Sequence, residues 1–191
     1  AEAANAGSRS TRIFTLVDEV LAVAGVGRGA VEALAVGLGP GSYTGVRLAL
    51  AAAQGWHLAT GVPVAGVEAF EVLRLDAADR GLAGRRTFAL YAQREEFAVR
   101  TLADGDWDGP ARLEPAAATR DRLLAGEPVL GPEIPGRLRE PPAGGLTLFP
   151  SAGAVARLAG RQGAFGPPER LAPVYLREAQ FVKAPPPRKI P

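Results

Sequence analysis

Gly37-Leu38-Gly39-Pro40-Gly41-Ser42-Tyr43-Thr44-Gly45-Val46-Arg47 is the stretch on which the reading of this chain turns. An apolar run, Ala33 to Val36, precedes it, and a long alanine-rich run, Val46 to Ala59, follows. The pattern predicts strand, glycine loop, helix. Glycines at 37, 39, 41 and 45 permit positive φ and close backbone approach, and Ser42 or Thr44 offers a hydroxyl to cap the helix. A helix opened by such a loop presents free N–H groups to an anion. The candidate anion-binding or nucleotide-proximal loop is therefore Gly39, Gly41, Ser42, Tyr43, Thr44, Gly45 and Arg47. The loop is not a P-loop, because Val46 and Arg47 follow Gly45 where Lys and Ser/Thr are required, and it is not a dinucleotide GxGxxG, because position 42 is serine.

Working outward, Ser10 is placed to cap a helix from Thr11 to about Ala24, closed by Gly25 and Gly27. Its apolar positions cover about half the circumference, more than the ~100° a surface helix needs, so the helix asks either for two neighbours or for one deep groove within the same domain. Val31 to Val36 reads as the strand before the loop. Thr44 to Thr60 reads as a slim helix ended by Gly61, Pro63 to Gly66 as a strand and Val67 to Asp79 as a helix. Arg86 to Tyr91 and Glu95 to Leu102 read as a hairpin, and Asp104 to Pro110 as a polar turn. A short strand at Arg112 to Glu114, a helix at Pro115 to Ala125 and a strand at Val129 and Leu130 follow. Gly131 to Gly145 reads as loop, Leu146 to Phe149 as strand, and Ser151 caps a helix through Gly160. Residues 1–8 read as a loose lead-in, and Ala184 to Pro191 as a proline-rich tail. Alternating strands and helices predict an α/β fold with a parallel component, divided into residues 1–84 and 85–191.

The chain has 191 residues, is 47% hydrophobic and 22% charged, and carries a net charge of +2. Its arginines are scattered among acids, without the concentrated stripe of a nucleic-acid surface. It has no cysteine, which excludes disulfide and thiolate chemistry. No apolar run approaches the ~20 residues of a membrane span. It also has no methionine, even at position 1, so the expectation is a chain that begins inside a longer protein or whose start has been processed or lost.

Few side chains point to catalysis. His57 is the single histidine, set in an apolar helix and expected to be packed or at an interface. Ser42 and His57 stand at opposite ends of a helix roughly 20 Å apart, too far for a nucleophile and its base. Glu95 and Glu96 are strand neighbours pointing to opposite faces. Asp76 and Asp79, at a helix end, are expected to be solvated, as are Asp104, Asp106 and Asp108. The absence of a catalytic constellation favours a binding or scaffold role.

Gly39-Pro40-Gly41-Ser42-Tyr43-Thr44-Gly45-Val46-Arg47 resembles the G-P-G-S-[FY]-T-G-[LV]-R signature of the TsaB (YeaZ) family. Gly61-Val62-Pro63-Val64-Ala65-Gly66-Val67 is similar to the family's G-[IV]-P-[LV]-x-G-[IV], and Pro173-Val174-Tyr175-Leu176-Arg177 to its P-x-Y-[LV]-R. Ser10 to Ile13 and Leu16 to Leu21 resemble its first helix. Two departures stand out. The family's opening strand with its L-A-[IL]-D-T-S motif, and the strands after it, are not found, which implies a first lobe truncated at its N-terminus, less stable and more prone to aggregate. The family's D-A-R-x-x-E-V-Y stretch appears as Tyr91-Ala92-Gln93-Arg94-Glu95-Glu96-Phe97-Ala98.

The resemblance implies an actin-like, ribonuclease-H-like fold of two lobes. It implies a cytoplasmic, non-catalytic scaffold in the synthesis of threonylcarbamoyladenosine beside the tRNA anticodon. The implied partner is a catalytic paralogue, TsaD, which holds the ATP and metal, so that this subunit needs no cofactor. A TsaE-like ATPase joins the larger complex, tRNA is met only through it, and the subunit alone forms a homodimer. The family's first two helices make the partner interface, here Ile13, Phe14, Val17, Leu21, Leu50, Gln54 and Trp56. The competing readings are a metal-dependent glycopeptidase-like hydrolase and an independent nucleotide-binding ATPase.

Overall fold

The computed structural model describes residue 2, residues 12–138 and residues 144–177. The expected Ser10 cap, most of the lead-in and the proline-rich tail lie outside the described residues.

The first half is built on two parallel strands, β1 (Leu34–Gly37) and β2 (Val64–Val67), paired in register from Leu34↔Val64 to Gly37↔Val67. β1 is shorter than expected at its start, because Arg28–Ala30 forms a 3-10 turn. Helix α2 (Tyr43–Thr60) links the strands as a crossover, the connection that parallel pairing requires. The amides of Leu34 and Leu38 donate to Pro63 and Val67 at 2.9 and 2.8 Å. The alternation of a strand then turns the amides of Ala35 and Gly37 to the opposite edge of β1, where no strand among the described residues pairs with them. Both α2 and α6 (Ala152–Gln162) pack against β1. Helix α1 (Ile13–Ala24) is apolar at every position except Thr15, Asp18 and Glu19, yet buries no residue.

The second half is a mixed sheet in the order β5-β4-β3-β7-β8, with β6 also paired to β4. β3 (Arg86–Tyr91) and β4 (Glu96–Ala103) form the expected antiparallel hairpin, and β7 (Val129–Gly131) joins β3 in parallel. The sheet is covered on both faces. Phe88 and Leu90 point to α3 (Ala69–Asp79), where Phe70, Leu73 and Ala77 close a core with Leu130 and Leu148. Ala89, Phe97 and Val99 point the other way, against Leu123 of α4 (Ala116–Leu124) and Ile134 of the one-turn helix α5 (Ile134–Arg137). β6 (Arg112–Pro115) and β8 (Gly145–Thr147) complete the sheet.

Three expectations are corrected. The turn at 104–110 contains a strand, β5 (Asp106–Trp107), because Trp107 is drawn inward. Its ring meets Phe70 and Phe88 edge-on at 6.2 and 5.6 Å, its Nε1 donates to Glu71 at 2.6 Å, and the Arg100 guanidinium lies 4.4 Å from its centroid. The loop at 131–145 contains α5. Asp76 is not solvated: it is 8% exposed and accepts from the backbone N–H and hydroxyl of Ser151 at 2.8 and 2.6 Å. Ser151 in turn caps α6, its Oγ accepting from Ala154 N–H at 3.1 Å, so Asp76 fixes the cap that fixes the helix. Asp79 pairs with Arg157.

A polar network ties α4 to the sheet. Arg122 donates to Glu114 at 3.1 and 3.2 Å and to Glu127 at 2.9 Å, and Thr87 donates to Glu127. Burial alone would raise the Glu127 carboxyl. The hydrogen bonds from Thr87 and Arg122, with the charges of Arg122 and Arg85, outweigh it and hold the group below the ordinary glutamate value. A depressed folded value contributes stability that is complete above the unfolded value of about 4.3 and is lost as pH falls through the folded one. Denaturant titrations should therefore separate Glu127→Gln from the parent at pH 7, with the gap narrowing as pH falls below the unfolded value and through the folded one.

Candidate functional site

The glycine loop is clamped from two sides. Leu38 donates to Val67 at 2.8 Å and Gly39 accepts from Ala69 at 2.7 Å, while the carbonyl of Leu38 accepts from Val174 at 2.8 Å. Gly39 has φ +86°, and a Cβ there would stand 3.3 Å from the amide nitrogen of Gly41 and 3.5 Å from the carbonyl oxygen of Val174. This backbone therefore calls for glycine. The Gly39–Pro40 peptide is cis. The turn ends at Ser42, whose Oγ accepts from Gly45 N–H at 3.2 Å as the N-cap of α2.

The first turn of α2 thus presents Tyr43 and Arg47 outward. The Arg47 guanidinium lies 4.0 Å from the Tyr43 ring centroid and 5.8 Å from that of Tyr175. Its Nε donates to the Tyr175 hydroxyl at 2.8 Å, and that bond raises the guanidinium above its ordinary value. The two rings are 5.7 Å apart and tilted by 33°. Arg47 is thereby held by two aromatic faces with several N–H groups still unused.

These groups form one wall of a cleft of about 900 Å³. The opposite wall is the β3–β4 turn, where Gln93, Arg94 and Glu95 take φ values of 67°, 51° and 57°. Three successive left-handed non-glycine residues each cost roughly 1–2 kcal/mol. Arg177 closes the end of the cleft, ion-paired with Glu96. Of the loop residues expected from the sequence, Gly41, Ser42, Tyr43 and Arg47 line the cleft, and Gly39, Thr44 and Gly45 do not. Tyr175, beside Arg47, and Gln93, Arg94 and Arg177, which also line the cleft, had no site role in the sequence reading. Arg47 and Tyr175 are 128 positions apart, so no local spacing could link them. Among the described residues, no three His, Cys, Asp or Glu side chains are grouped to hold a metal ion.

A second surface lies on α1 and α2. Arg28 bridges the helices, donating to both Asp18 carboxylate oxygens at 2.7 Å with its guanidinium 6.0 Å from the Trp56 centroid. That hydrogen bond holds the Asp18 carboxyl below its ordinary value. Phe14 is 48% exposed, and Val23 and Leu58 are 78% and 80% exposed. Ile13, Val17, Leu21, Gln54 and Trp56 are half-buried. Leu50 is 5% exposed and packs inward, beneath this surface rather than on it. His57, also half-buried, sets its Nδ1 2.9 Å from the carbonyl oxygen of Val62. No helix among the described residues is long and apolar enough to cross a membrane.

The family profile "TsaD: tRNA N6-adenosine threonylcarbamoyltransferase" matches residues 5–113. The chain is 32% identical to the Escherichia coli tRNA threonylcarbamoyladenosine biosynthesis protein TsaB, over 87% of this chain and 79% of that protein. It is 46% identical to the Haemophilus influenzae protein of the same name over 57 residues, which span 24% of that protein. Two solved structures from Pseudomonas aeruginosa superpose on it. One is an uncharacterized protein with similarity to peptidase YeaZ, with TM-score 0.67, 30% identity and coverage of 90% of this chain and 85% of that one. The other is YeaZ, with TM-score 0.63, 28% identity and coverage of 85% and 83%. The α/β halves described above accordingly have the actin-like fold, and the chain belongs to the TsaB (YeaZ) family.

Proposed function

We propose that this protein is a subunit of tRNA threonylcarbamoyladenosine biosynthesis that acts as a non-catalytic scaffold, docking a TsaD-like catalytic paralogue on its α1–α2 face. The single observation that carries this reading is α1 itself. It is a three-turn apolar helix with no buried residue, and burial of an apolar stripe is what normally holds such a helix in place. Exposed Phe14, Val23 and Leu58 are the aromatic and aliphatic groups that interface cores recruit. The names of the TsaB relatives support the pathway. In this reading ATP and metal belong to the partner, a TsaE-like ATPase joins the larger complex, tRNA is engaged only through that complex, and the site of action is the cytoplasm. Without its paralogue, the same face pairs two copies of this chain.

The test is size-exclusion chromatography with light scattering, on the chain alone and mixed with its TsaD-like paralogue. The expected result is a homodimer that converts to a stable 1:1 heterodimer. Two monodisperse, non-interacting peaks would overturn the proposal. The same preparation is assayed for metal-dependent peptide cleavage and for ATP turnover, and either activity in the pure chain would overturn the non-catalytic part.

A further inference from the structure

We propose that Arg28 is a positioning residue for the docking face: its clip on Asp18 seats α1 against α2, and the seated fraction, in a control that rests on the docking reading above, sets how much of the protein can dock. Three observations converge. Little else holds α1. None of its residues is buried, and burial of an apolar face is what usually keeps a helix in place. Among the described residues, Asp18 is the one position of α1 that receives a side-chain hydrogen bond from another element. The bond itself is two-pronged. Arg28 Nε and Nη2 donate to the two Asp18 oxygens, each at 2.7 Å, the fork geometry that sets a pair apart from an ordinary exposed one. The guanidinium lies 6.0 Å from the Trp56 ring centroid, at the outer limit of cation–π attraction, which places the clip over α2. Trp56 Nε1 has no acceptor among the described residues, so the indole gives α1 no hydrogen bond of its own. The connection is a hinge. Gly25-Val26-Gly27 joins α1 to the turn that carries Arg28. Gly25 has φ +69°, and a Cβ added at Gly25 or Gly27 would meet nothing within 4 Å, so the surroundings leave both glycines their freedom.

Phe14 stands four residues before Asp18, and Leu21 three after it, so all three share one side of α1. A two-pronged bond at Asp18 fixes the rotation of the helix as well as its position, and with it the aim of Phe14 and Leu21. When a partner binds only the seated form, the apparent dissociation constant is the intrinsic one divided by the seated fraction. Loss of the clip lowers that fraction. Stiffening the hinge raises it, because the released form then has less freedom to gain. Both members of the pair are more than half exposed, so salt screens their attraction and releases α1.

The experiment is amide hydrogen exchange across Ile13–Ala24 in the full chain, which reads seating without any partner. Arg28→Gln and Asp18→Asn should each speed that exchange about threefold, with β3 and β4 unchanged. The double variant should be no faster than either single one, since both remove the same bond. Arg28→Lys should restore only part of the loss, because a point charge replaces the fork. Gly27→Ala, at an extended backbone that alanine adopts, should slow exchange about twofold. Raising salt from about 0.05 to 1 M should speed exchange in the parent and leave Arg28→Gln flat. Light-scattering titration with the TsaD-like paralogue should then show Arg28→Gln binding about twofold or more weakly than the parent, and Gly27→Ala no more weakly. Unchanged α1 exchange in Arg28→Gln, additive effects in the double variant, or a salt response that survives in Arg28→Gln would each overturn the clip. Faster exchange with undiminished affinity would overturn its control of docking. A parent chain that does not bind the paralogue at all would overturn the docking reading instead, while the exchange measurements still decide the clip.

Discussion

Phe14→Asp is expected to weaken association with the TsaD-like paralogue by about 100-fold or more while leaving the chain folded. Phe14 is 48% exposed on a helix that buries nothing, so the folded chain loses little packing and its stability should move by no more than about 0.5 kcal/mol. In a complex the same position would lie in the apolar centre of the contact. There a carboxylate is desolvated without a partner, a cost of several kcal/mol, in addition to the lost aromatic area. Leu58→Asp, on α2 and 80% exposed, is the matching variant on the neighbouring helix. Light-scattering titrations of both, with thermal melts, separate docking from folding. Full binding by both variants would remove the α1–α2 face from the proposal.

Gly131→Ala is expected to be the most damaging single methyl in the described chain, costing about 3 kcal/mol and lowering Tm by roughly 6–12 °C. A Cβ at Gly131 would stand 1.9 Å from the carbonyl oxygen of Ala89. That atom belongs to the central strand β3, and Ala89 itself is fully buried, so neither side yields as a flexible side chain would. Relief requires β7 to move away from β3, which also strains the bond from Leu148 N–H to the Gly131 carbonyl at 3.1 Å. Gly160→Ala is the contrast. It sits inside α6 with nothing within 4 Å of its added carbon, and should raise stability by about 0.5–1 kcal/mol. Equal melting temperatures for the two variants would show that the β7–β3 contact is looser than described.

Much of this fold was legible because periodicity and punctuation agree. α2 stops at Gly61 as the sequence predicts and starts one residue earlier than expected, at Tyr43, with Ser42 the one of the two candidate caps that is used, and β3 spans the residues expected of it. What failed to read locally was set by tertiary contact. β5 is a two-residue strand in a stretch rich in Asp and Gly, and only the aromatic pocket formed by Phe70 and Phe88 draws Trp107 inward. Asp76 looked solvated by residue type, yet Val72, Leu73, Asp76 and Ala77 form one buried helical stripe. The spacing carried the signal and the charge concealed it. The glycine loop was visible at once, but the rest of the cleft comes from a hairpin turn and from the segment at 173–177, which no window on the sequence brings together.

The placement of the two tryptophans has a spectroscopic consequence. Trp107 is locked between phenylalanine edges beneath Arg100, whereas Trp56 sits half-buried on α2 beside Arg28, its Nε1 without an acceptor among the described residues. Emission from Trp107 therefore monitors melting of the second half, and emission from Trp56 monitors whatever settles on the first. Single-tryptophan variants, Trp56→Phe and Trp107→Phe, would turn the chain into two label-free fluorimeters.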